Sequence, residues 1–112
     1  MSMSSDTLVV FYGLRLEVAP NEIEAVKNRT DARVLTAQKV GLTQYLSASA
    51  VPGEKSFLFL GAQLALIGPG KRPEVALSWR DLQRIAESTR KKLSAAGIPG
   101  EQTLYVQWKP AG

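Results

Sequence analysis

The stretch SWRDLQRIAESTRKKLSAAG, Ser78 to Gly97, constrains the fold more than any other part of the chain. Ser78 stands where an N-cap accepts from the first free N–H groups. Asp81, three residues on, is its capping-box partner, and Leu77 and Leu82 are spaced as a hydrophobic staple. Leu82, Ile85, Ala86, Thr89, Leu93 and Ala96 recur at helical spacing and make one apolar stripe. Arg90, Lys91 and Lys92 suit the negative end of the helix dipole, Gly97 ends the helix, and Pro99 prevents a restart. A helix with one apolar stripe must lay it on a partner layer, and the segments flanking it in sequence read as strands.

Those strands declare themselves by period-two alternation. In LVVFYGLRLEV (Leu8 to Val18), Tyr12, Leu14, Leu16 and Val18 fall on one side, with Gly13, Arg15 and Glu17 on the other. SFLFLGAQLALIG, from Ser56, is a second strand, in which Gly61 is expected to mark a bulge or bend. In QTLYVQWK, Leu104, Val106 and Trp108 are expected inward, and Thr103, Tyr105, Gln107 and Lys109 outward. LTQYLSASA (Leu42 to Ala50) is a weaker strand, closed by a turn at Pro52-Gly53. Before it, PNEIEAVKNR predicts a helix from about Asn21 to Arg29, with Asn21 as cap. TDARVLTAQKVG either extends that helix or starts another, with Thr30 as cap and Gly41 as stop.

The order strand, helix, strand, strand, helix, strand predicts an α+β fold. The expected form is a ferredoxin-like β-α-β-β-α-β sandwich, an antiparallel sheet with two main helices on one face. At 112 residues the chain is expected to form a single domain, 1–112, with 1–6 and 110–112 as flexible ends.

Composition removes several chemistries. The chain has no cysteine and no histidine, which excludes disulfides, thiolate nucleophiles and any Ser-His-Asp or Cys-His centre within one chain. No catalytic residue, metal site or cofactor is expected, and the reading leans away from an enzyme. The N-terminal stretch has neither the basic segment nor the apolar core of a signal peptide. The run from Phe57 to Ile67 is too short to span a bilayer, so a soluble cytoplasmic protein with no membrane partner is expected.

GPGKR, Gly68 to Arg72, invites comparison with a phosphate-binding loop. The spacing fails: Ala65 stands where the first glycine belongs and Arg72 where a hydroxyl is needed, so an exposed turn is expected. The net charge is +4, with the cation excess between Lys71 and Lys92. Glu87 lies three residues after Arg84 and four before Lys91, the pattern of a solvated, salt-bridged helix face.

What remains is the sheet face that the helices leave bare. Phe11, Arg15, Glu17, Phe57, Phe59, Tyr105, Gln107 and Lys109 are its candidate binding or dimer residues. Exposed together, Phe57, Phe59 and Tyr105 make an apolar patch that soluble monomers avoid, so a homodimeric binding or protein-interaction domain is the leading expectation. The alternative is single-stranded RNA stacking on those rings. KSFLFLGA resembles the third-strand motif of RNA-recognition domains at Lys55, Phe57, Phe59 and Leu60. It lacks the glycine at Ser56, the small residue at Leu58 and the aromatic at Ala62, and the chain is not assigned to that family. A third possibility is a small enzyme whose site is completed across a dimer interface by Arg15, Glu17 and Tyr105.

Overall fold

The computed structural model describes residues 6–48 and 53–109; the terminal segments expected to be flexible fall outside these residues, except for Asp6, as do Ser49, Ala50 and Pro52 of the expected weak strand and turn. Strand β1 spans Thr7–Val18, helix α1 Ile23–Lys27, helix α2 Ala32–Lys39 and strand β2 Thr43–Ser47. Strand β3 follows at Ser56–Ile67, helix α3 at Trp79–Ala95 and strand β4 at Thr103–Lys109. The four strands form one sheet in the order β2-β3-β1-β4, every neighbouring pair antiparallel. The fold is therefore α+β, an antiparallel sheet packed with helices.

Helix α3 forms as its local chemistry requires. The Ser78 hydroxyl accepts from the Asp81 N–H at 3.0 Å, and the Asp81 carboxylate accepts from the Ser78 N–H at 3.4 Å. At the far end Gly97 takes φ 69°, and the Ile98 N–H returns to the Leu93 carbonyl at 3.0 Å. That turn closes the last carbonyls without water.

The first helical segment differs from expectation. The stretch read as one helix from Asn21 to Arg29 is a 3-10 turn, Pro20–Glu22, followed by the five residues of α1. Asn21 does not cap it; the Glu22 carboxylate accepts from the Ala19 N–H at 2.8 Å instead. Arg29 ends α1 by adopting the left-handed region at φ 59°, a place sequence reading looks for glycine. Thr30 does not cap α2 either: its hydroxyl donates to the Ala25 carbonyl at 3.3 Å, and Asp31 is the cap.

Asp31 and Arg33 form the best-organised polar contact of this layer. The Asp31 carboxylate accepts from the Arg33 backbone N–H at 2.8 Å and from Nε and Nη2 at 3.0 and 2.9 Å. The same guanidinium reaches Glu22 at 3.3 Å and donates to the Glu17 carbonyl at 3.3 Å, tying the end of β1 and the 3-10 turn to α2. The Asp31 side chain is 10% exposed, so this pairing is more than a surface ion pair. Hydrogen bonds from Arg33 hold the Asp31 carboxyl below its ordinary value of 3.8. The stabilisation is thus complete above that value and is lost as pH falls through the lower folded-state value. Asp31→Ala is expected to cost about 1–2 kcal/mol at pH 7. The difference from the parent should shrink as urea midpoints are followed below pH 3.8.

One core cluster lies between the sheet and the helices. Leu14, Val18, Leu58 and Leu60 from the sheet meet Val26, Val34, Ala37 and Leu93 from the three helices. A second cluster, on the opposite face, is built from strand residues alone. Gly61, expected to mark a bulge or bend, is not at a bulge: it lies opposite Gly13 in regular register. The irregularity sits further along, where Val10 pairs with Ala65 but Phe11 with Gln63, leaving Leu64 as the extra residue.

Candidate interaction surface

The face away from the helices carries the residues that the sequence brings forward. Phe59 from β3 sits at the centre, with Phe11 from β1 at 5.8 Å, Tyr45 from β2 at 5.6 Å and Tyr105 from β4 at 5.1 Å between ring centroids. The Phe11 and Tyr105 contacts are edge-to-face, the arrangement that the ring quadrupoles favour. Arg15 lies over Phe57 at 4.7 Å and over Tyr105 at 5.3 Å, and the Lys109 ammonium sits 5.6 Å from the Tyr45 ring. Glu17 pairs with Lys55 at 3.5 Å, both exposed, and half-buried Gln107 stands opposite Val9.

The expected open patch of Phe57, Phe59 and Tyr105 is corrected by this packing. Phe59 and Phe11 are 0% and 1% exposed, and Phe57 and Tyr105 are half-buried. Rings on neighbouring strands lie close enough to close over the central one without a covering layer. The accessible parts of this face are the flanks of Phe57, Tyr45 and Tyr105 and the charged groups above them. Tyr45 was missed in the sequence. Its signal was the alternation of TQYLS, which puts Tyr45 outward once Leu46 turns to the core. Burial pushes its hydroxyl pKa up.

The larger surprise is on the helix side. Leu104, Val106 and Trp108 pair with Tyr12, Val10 and Leu8 of β1, so they point to the side where the helices lie, as the alternation predicts. They are nevertheless uncovered: Leu104 is 47% exposed, Val106 61% and Trp108 64%, with Leu8 at 37%. Helix α3 packs chiefly on β1 and β3, burying Thr89 and Leu93, and leaves β4 largely uncovered. The expectation that these three residues belong to the core is therefore corrected. Strand β4 is also a sheet edge, with β1 on one side and no strand on the other among the described residues.

Shallow clefts border α3, and two of them adjoin the sheet. One, of about 370 Å³, runs between the start of β2 and α3 past Gly41, Arg84, Ser88 and Lys92. The other, of about 550 Å³, lies beside Tyr12, Gln83, Glu87, Arg90 and Gln102. Arg84 pairs with Asp81 at 2.8 Å and Arg90 with Glu87 at 3.5 Å, while the Lys92 ammonium donates to the Gly41 carbonyl at 3.4 Å. The Gln102 side-chain oxygen is enclosed without a hydrogen-bond partner among the described residues. No group of three potential metal ligands occurs among the described residues, and no helix there is long and apolar enough to cross a membrane. The Gly68 to Arg72 turn is closed by Lys71 N–H to the Gly68 carbonyl at 2.9 Å, and α3 begins seven residues after Arg72. Its amides are not aligned with a helix N-terminus as a phosphate cradle requires.

No protein-family model, curated protein or solved structure matches this chain. The surface it offers is an unpaired strand edge with an uncovered apolar stripe beside it, and a cation-capped ring cluster on the other face.

Proposed function

We propose that the chain is a non-catalytic protein-interaction domain of ferredoxin-like topology whose docking surface is the outer edge of β4 and its apolar stripe. The strand order and the alternation of strands with helices support the topology. One observation carries the function: Leu104, Val106 and Trp108 stand in line on an edge strand, each about half exposed or more. Isolated surface apolar residues need no explanation, but a contiguous row on an edge is a docking surface or an aggregation hazard. The ring-bearing face is the weaker candidate, because its rings are mostly satisfied by one another.

The test is site-specific photo-crosslinking in the producing cell. A photoreactive residue at position 106 is expected to give a covalent protein adduct, whereas one at position 17, on the other face, gives none. An adduct only at position 17 would overturn the reading.

Single-stranded RNA is a second reading, favoured by Arg15 and Lys109, which lie over rings and have no carboxylate within ion-pair distance among the described residues. It requires RNA binding that weakens steeply with salt and falls at least tenfold in Arg15→Ala. Binding indifferent to both excludes it.

A further inference from the structure

We infer that the occupant of the β4 edge is a second copy of this chain, paired antiparallel, β4 against β4, about a twofold axis at Val106. This rests on the reading that β4 is the docking surface.

An antiparallel strand pair with twofold symmetry must place each residue opposite one of the same parity, so that both copies present the same faces. Seven residues from Thr103 to Lys109 have Val106 at their centre. Full-length pairing about that centre sets Leu104 opposite the partner's Trp108 and Val106 opposite the partner's Val106. On the other face Tyr105 meets the partner's Gln107. At the ends Thr103 meets the partner's Lys109. Every apolar side chain of the stripe finds an apolar neighbour, and no pair opposes like charges. Self-complementarity of this kind is what a twofold interface requires.

The edge also lacks the usual guards. Strands exposed to unwanted pairing are typically interrupted by proline, bulged, shortened or studded with charge. Strand β4 has no proline and a single charge, at its last residue. It runs in unbroken register with β1 over all seven positions. The bulge in this sheet lies between β1 and β3, where it does nothing to protect the β4 edge. The other edge, β2, is only five residues long.

Area and charge agree with this arrangement. With the exposures given above, Leu8, Leu104, Val106 and Trp108 leave on the order of 400 Å² of apolar surface open per copy, the size at which a patch on a soluble protein is usually functional. Pairing the β4 edges brings the two stripes and their strand backbones together, an area that approaches the roughly 1,000 Å² at which an interface becomes specific. Beside the stripe, the α3 flank offers Gln83 and the paired Glu87 and Arg90, so the copies do not meet with one sign of charge. Symmetric pairing through the ring-bearing face, by contrast, would bring Arg15 and Lys109 of both copies into one layer.

The test is molar mass by light scattering over a wide concentration range, for the parent, Val106→Lys and Glu17→Lys. The parent and Glu17→Lys are expected at about twice 12.2 kDa, and Val106→Lys at half that mass. Circular dichroism shows whether the lysine variant is folded. Should it not fold, Val106→Cys decides the question, since the chain has no other cysteine. Its side chains would meet about 5 Å apart at the axis, and mild oxidation should yield a disulfide-linked dimer that Glu17→Cys does not form. A parent that is monomeric at every concentration overturns the second copy as occupant. The broader reading would then stand or fall separately, on whether a photoreactive residue at position 106 captures a different protein. A dimer broken by Glu17→Lys and untouched by Val106→Lys would overturn both.

Discussion

Replacing Gly13 with alanine is expected to unfold the domain or bring it to the edge of unfolding. Gly13 on β1 and Gly61 on β3 face each other at the middle of the sheet, with φ of 154° and 159°. In that conformation a Cβ points along the sheet into the neighbouring strand, where ordinarily it would stand up from it. At Gly13 it would overlap the Leu60 carbonyl oxygen and come within 2.8 Å of the Gly61 Cα; at Gly61 it would meet the Tyr12 carbonyl and the Gly13 Cα in the same way. Backbone cannot step aside as the tip of a flexible side chain does. The strands must separate, and the cost is about 3 kcal/mol or more against a total stability of roughly 5–15 kcal/mol. Gly61→Ala should be as damaging, because the two positions block each other. Urea and thermal unfolding of both variants measure this. A parent-like midpoint in either would mean that the strands do not approach this closely.

Phe59→Ala should be the most damaging of the ring substitutions, costing about 3–5 kcal/mol and lowering the thermal midpoint by more than about 10 °C. The reason is position. Phe59 is fully buried although it lies on the face without helices, and it touches three other rings, each contact adding to its area burial. Phe57→Ala, two residues away on the same face, should cost less, because Phe57 is only half-buried and Arg15 is its main cover. Equal and small losses from both would mean that the face is open, and would return it to consideration as a stacking surface. The measurement thus bears on function as well as stability: a ring that holds the sheet together cannot also be free to bind a base.

Legibility in the sequence followed the range of the interactions involved. Helix α3 was readable nearly to the residue, because its cap, capping box and closing turn involve neighbours within a few positions. The alternation of β1, β3 and β4 was readable for the same reason, since which side a residue faces depends only on parity. The break between α1 and α2 was not. It depends on Arg29, a residue with no special tolerance for positive φ, and on an Asp31 cap steadied by an arginine that also reaches Glu17 and Glu22. Tyr45 escaped notice because β2 is short and its pattern weak.

Sequence pattern established that the chain has amphipathic strands and helices in an α+β order, that it lacks the groups for thiol and histidine chemistry, and which side most residues of β1 and β4 face. Coverage was decided in three dimensions. A helix is about 10 Å across and strands lie about 4.8 Å apart, so one helix roofs roughly two strands. Because α3 rests on β1 and β3, β4 is left outside the roof, and side chains that alternate like core residues become surface. On the other face the reverse happened: residues that alternate like surface became core, because four aromatic rings on four strands met and excluded water from the one between them.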